Sequence, residues 1–163
     1  LTVPDTAERG WHRTGNTVRT ACLASVGLAP FIPWWLRVGD SFYLAVMAAA
    51  AIYASVWFLI ELTHFVRNLA HAYSLPLVEK QARMARLLIL YLLFLPVLAV
   101  HVSWCVAFLT FPSITLKDLM RAWALLPPTA YYLMLLPVLH LCWLLWRAAN
   151  SLTAQQIAAI HAE

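Results

Sequence analysis

The sequence predicts an all-α integral membrane protein with four transmembrane helices, and three observations carry that prediction. Hydrophobic residues fill 63% of the 163 positions and charged residues 11%, too little charge to cover the water-facing surface of a chain this size. Leu87 to Phe111, LLILYLLFLPVLAVHVSWCVAFLTF, runs twenty-five residues without a charge. As a helix it would reach roughly 37 Å, more than the ~30 Å hydrocarbon core of a bilayer requires. The basic residues stand singly at the ends of apolar runs, which is how membrane topology is signalled. A nucleic-acid patch would cluster them, so no nucleic-acid partner is expected despite the net charge of +4.

Taken in order, residues 1–20 are polar, with Pro4, Gly10, Gly15 and Asn16 as helix breakers, and are expected to form an extramembrane arm. A transmembrane domain follows over 21–146. Its first run, Ala21 to Leu36, has only sixteen residues and is interrupted by Pro30 and Pro33. Either it spans, with Arg19 and Arg37 snorkelling outward and Trp34 and Trp35 in the interface, or it forms a re-entrant or surface helix. Ser41 to Ile60 is a clearer span, with twenty uncharged residues and small side chains such as Ala50 and Ala54 at helical spacing, a pattern that lets another helix approach closely.

The connection from Glu61 to Arg86 is expected to continue as helix to Tyr73, to break at Ser74-Leu75-Pro76 and to resume as a second short helix. After the central span, Pro112 closes the helix, and Lys117 and Asp118 mark the next helical start. Ala122 to Trp146 is the last uncharged run, twenty-five residues in which Pro127 and Pro128 fall near the membrane surface and Pro137 within the span. The tail, 147–163, has a capping-box-like pair, Thr153 and Gln156, predicting a separate short surface helix.

Charge asymmetry decides whether the first run crosses. With four spans, Arg9, Arg13, Arg19, Arg67, Lys80, Arg83, Arg86 and Arg147 collect on one side, and only Arg37, Lys117 and Arg121 on the other. Three spans would divide them six against five. The positive-inside rule therefore predicts four spans with both termini on the cytoplasmic or matrix side of a bacterial or organellar inner membrane.

Ionisable side chains at membrane depth are the default functional candidates because their desolvation is costly. Glu61, His64, Asn68 and His71 recur at intervals of three or four residues on one helical face. His140 lies seven residues inside Arg147, a depth similar to that of Glu61 inside Arg67. Glu61 and His140 are therefore expected as a buried polar pair that fixes helix packing. An alternative is that His64 and His140 ligate haem b or border a quinone, which requires neutral imidazoles on facing helices. A proton relay at Glu61 is a third reading. His101 lies toward the opposite face of the bundle, roughly 22 Å along its span from Arg86.

Other chemistries find little purchase. Four glycines cannot build a phosphate-cradling loop, and no zinc-protease or nucleophile-elbow motif occurs. The single Glu61-x-x-His64 step is half of a di-iron carboxylate motif and lacks its other half. Cys22, Cys105 and Cys142 all fall in apolar runs and behave there as small apolar residues. Most tryptophans sit near predicted interfaces, while Trp57 and Trp104 lie deeper. The composition and these absences predict a non-catalytic accessory subunit, without a cofactor of its own, whose partners are lipid and other membrane subunits.

Overall fold

A computed structural model describes residues 5–111 and 113–160, with side chains described from 13 to 157 except at 112, 116, 120, 122 and 124. Pro4 and Pro112, expected as breakers, lie outside the described residues. Among the described residues every regular element is helical: α1 (Asp5–Leu28), α2 (Phe31–Val38), α3 (Phe42–Ala72), α4 (Pro76–Leu88), a π-helical turn (Ile89–Phe94), α5 (Leu95–Thr110), α6 (Leu116–Ala124) and α7 (Pro128–Ile160). Four segments, Arg13–Val38, Phe42–Ala72, Pro76–Thr110 and Pro128–Ile157, are long and apolar enough to cross a bilayer.

The amino-terminal segment departs from expectation. Gly10, Gly15 and Asn16 do not break it, and α1 runs from Asp5 across the expected boundary at residue 20. A glycine costs a helix about 1 kcal/mol relative to alanine, and here packing against α3 outweighs that preference. Ala21 is fully buried, the Phe65 ring covers Gly15, and Asn68 donates to the Thr14 hydroxyl at 3.3 Å. The short apolar run thus gains its length from the helix upstream of it. Pro30 separates α1 from α2, and Gly39, at φ 70°, ends α2 with its N–H bonded to the Trp35 carbonyl, a conformation that favours glycine.

Ser41 begins α3 by accepting a hydrogen bond from the Leu44 N–H, as an N-cap serine does. Its alanines pack as their size suggests, but the most deeply buried are Ala48 and Ala51 rather than Ala50 and Ala54. Ala48 clusters with Trp35 of α2 and Leu119 of α6. The break at Ser74-Leu75-Pro76 falls where expected: Ser74 has φ 54°, the Leu75 N–H bonds to the Ala70 carbonyl at 2.8 Å, and Pro76 opens α4 at its first turn.

The helix after that turn is not a separate element. It continues through the π turn into α5, so that the third segment long and apolar enough to cross a bilayer begins at Pro76. Pro96 explains the π turn. It has no N–H to donate, and its ring would crowd the Leu92 carbonyl four residues back. The backbone lengthens by one residue locally, and the Leu95 N–H reaches Leu90, the five-residue step of a π turn.

The tail departs in the same sense as the arm. α7 runs without interruption from Pro128 to Ile160, through fully buried Pro137 and across the expected boundary at 146. Thr153 caps nothing; its hydroxyl donates to the Ala149 carbonyl within the helix. Neither glycine nor proline follows Pro137, and Ala148 is buried against the core, so nothing stops the helix at the end of its apolar run.

Long-range polar contacts mark the two ends of the bundle. Lys117, at the start of α6, pairs with Asp40 between α2 and α3 at 2.8 Å. At the other end Gln155 of α7 donates to the Tyr73 carbonyl. The principal core joins Val66 and Ala70 of α3, Val78, Ala82 and Ala85 of α4, and Leu141, Leu144 and Ala148 of α7.

Candidate functional site

The polar side chains converge where α3 and α4 fold against each other about Leu75. His64 lies eleven positions before Leu75 and Arg86 eleven after it; Arg67 and Arg83 lie eight on either side, His71 and Glu79 four. Antiparallel pairing about the turn brings each couple level. An Arg86 guanidinium N–H donates to His64 Nε2 at 2.9 Å. Arginine has no acceptor, so Nε2 accepts in this contact. Glu79 sits among three basic groups, at 3.5 Å from Arg83, 3.7 Å from His71 Nδ1 and 3.8 Å from Arg67.

Beside these pairs lies a cleft of about 300 Å³ lined by Thr63, His64, Arg67, Arg83, Arg86 and, on its apolar side, Leu87 and Leu90. Thr63 is almost wholly buried, and its hydroxyl is committed to the Ile60 carbonyl at 2.7 Å. All of the described lining comes from α3, α4 and the π turn.

The expected pairing of Glu61 with His140 is not made. Glu61 accepts a hydrogen bond from the Trp57 indole at 3.3 Å, and the buried Nε2 of His140 has no hydrogen-bond partner among the described residues. The helical wheel gives the reason. Thr63, Val66 and Ala70 form the buried stripe of α3, and Val66 and Ala70 share a core with α7. Glu61 precedes Thr63 by two residues, a rotation of about 200° that turns it away from that core. His140 borders the buried stripe of Pro137, Leu141 and Leu144, and its ring lies 5.6 Å from that of Trp143, which Arg147 covers.

His64 and His140 do not share the cleft, and the Nε2 that His64 would offer a metal is held by Arg86. His101 does stand apart from both, as its position in the sequence predicts. Its Nδ1 bonds to the Val97 carbonyl at 2.8 Å, and its ring lies between Tyr53 and Trp123. The deeper tryptophans are used within the chain: Trp57 on Glu61, and Trp104 stacked on Phe108 with its N–H toward the Thr115 carbonyl. Among the described residues, no three His, Cys, Asp or Glu side chains gather as a metal site, and all three cysteines are free.

The sequence reading treats Arg67, Arg83 and Arg86 only as topology anchors and misses that they line one cleft with His64. The signal was present in two steps of three residues, His64 to Arg67 and Arg83 to Arg86, placed symmetrically about the break at Leu75.

What the described residues define is an all-helical chain with four helices long and apolar enough to cross a bilayer, and a basic cleft inside its central hairpin. No family model, curated protein or solved structure matches the chain.

Proposed function

We propose that this chain is a multi-pass membrane protein that serves as a non-catalytic accessory subunit of a larger membrane assembly of respiratory, photosynthetic, transport or secretory type. Both termini face the cytoplasm or matrix, the side to which the basic residues around Leu75 belong. The observation that carries the reading is how little of the third candidate span is covered by the chain itself: it is the least buried of the four, and the second is the most buried. α5 packs mainly on α6 and the π turn and leaves Val102, Val106 and Leu109 exposed along one ridge. A neighbouring subunit would cover that ridge.

Gentle detergent extraction followed by native electrophoresis tests this reading. The chain is expected in a high-mass band. Migration alone, with every membrane complex intact after its deletion, rejects the reading.

A redox subunit holding haem b, or contacting quinone, through His64 and His140 has one observation in its favour, the unpartnered Nε2 of His140. It requires His64 to exchange Arg86 for iron. A Soret band that disappears in His140→Ala is its expected signature, and a colourless, fully folded preparation rejects it. The relay reading gains nothing from the contacts of Glu61, whose described partner is an indole N–H that can only donate.

A further inference from the structure

We propose that the cleft between α3 and α4 is a binding site for the phosphate headgroup of an anionic phospholipid, with an acyl chain leaving along Leu87 and Leu90. The inference rests on the membrane reading but not on the accessory-subunit reading.

Charge is the first reason. Three arginines line the cleft, and the one carboxylate in ion-pair contact with them among the described residues is Glu79, which Arg67, Arg83 and His71 share. Arg86 bonds instead to the His64 imidazole. The set therefore carries an excess of positive charge, and among the described residues Arg86 has no anionic partner. A phosphate diester supplies both a compensating charge and oxygens suited to the guanidinium fork.

Shape is the second reason. The cleft is amphipathic along its length: Arg67 and Arg83 lie nearer the turn, and Leu87 and Leu90 lie one to two helical turns further into the uncharged run. Free phosphate needs only the first half. An amphiphile uses both, and basic pockets between helix ends on the positive side of a membrane are where anionic headgroups are held. The carboxylate already present lies toward the turn, four positions from Leu75, and leaves the Arg86 end open.

The test is native mass spectrometry of the full chain released from nanodiscs of mixed phosphatidylglycerol and phosphatidylcholine. Wild type should retain phosphatidylglycerol in preference. Arg67→Gln combined with Arg86→Gln should lower the preference roughly tenfold or more, given the contribution of each basic residue near an anionic headgroup. Glu79→Gln should raise it, because it removes the competing carboxylate. Arg121→Gln, at the opposite end of the bundle, should leave it unchanged.

Should the double variant misfold, Arg83→Gln, whose side chain is largely exposed, lowers the preference alone. Equal retention of the two lipids by an inserted wild-type protein overturns the inference, as does an undiminished preference in folded Arg83→Gln. Displacement of phosphatidylglycerol by millimolar inorganic phosphate assigns the site to free phosphate and overturns the lipid assignment. Failure of the chain to enter nanodiscs at all rejects the membrane reading on which the inference rests.

Discussion

Lys117 Nζ lies 2.8 Å from Asp40 Oδ2, joining the turn after α2 to α6, the helix that follows α5. The two residues are 77 positions apart in the chain, and only an even crossing pattern brings both turns to the same end. α3 would separate them from the Tyr73 end by roughly 45 Å of helix.

In a background with Cys22, Cys105 and Cys142 replaced, Asp40→Cys and Lys117→Cys should therefore be joined by a short bismaleimide. Asp40→Cys and Gln155→Cys should not. Electrophoretic mobility reads both, and a cross-link in the second pair would refute the arrangement. The ion pair itself is exposed, and a double-mutant cycle should give a coupling of about 0.2–1 kcal/mol.

Asp118 predicts an acid-sensitive α6. The Thr115 backbone N–H donates to its carboxylate at 2.8 Å and the Thr115 hydroxyl at 2.9 Å, with Arg121 at 3.1 Å. The Thr115 N–H first, then the hydroxyl, and Arg121 more weakly hold the Asp118 carboxyl below the usual carboxylate range. A pKa lowered by folding contributes stability that is fully present above the unfolded value and is lost as pH falls through the folded one. Amide protection in α6 should thus be constant near neutrality and fall only below the ordinary carboxylate range. In Asp118→Asn that acid step should be absent, with protection lower at neutral pH.

Pro96 predicts a local change of helix type. Pro96→Ala restores the missing N–H and removes the crowding at Leu92, a constraint worth up to about 3 kcal/mol in a regular helix. Hydrogen exchange at residues 89–96 should slow, and the thermal midpoint should hold or rise. Faster exchange there would show that the π turn is stabilised by something other than Pro96.

The shared core of α3, α4 and α7 predicts unequal leucines. Leu144 is fully buried and Leu139 is 67% exposed. Leu144→Ala should destabilise the bundle by about 2–5 kcal/mol, whereas Leu139→Ala should cost a small fraction of that, because its surroundings are not protein. Unfolding in mixed micelles measures both, and equal losses would place Leu139 inside a contact the isolated chain does not make.

The sequence by itself determined the elements whose cause is local. Uncharged length made the second, third and fourth spans legible, the Ser74-Leu75-Pro76 step set the hairpin break, and the placement of arginines marked which turns belong to one end. These follow from the length and composition of each apolar run and from backbone sterics, which act residue by residue. Tertiary structure decided whether Gly15 and Asn16 end a helix, because contacts with Phe65 and Asn68 of α3 outweigh a propensity of about 1 kcal/mol. It also decided which polar groups meet. Glu61 and His140 lie six and seven residues from Arg67 and Arg147 but differ in azimuth, and azimuth depends on which face of each helix the core consumes. His64 meets Arg86 because the hairpin folds two faces together, a relation in space that no single stretch of residues specifies.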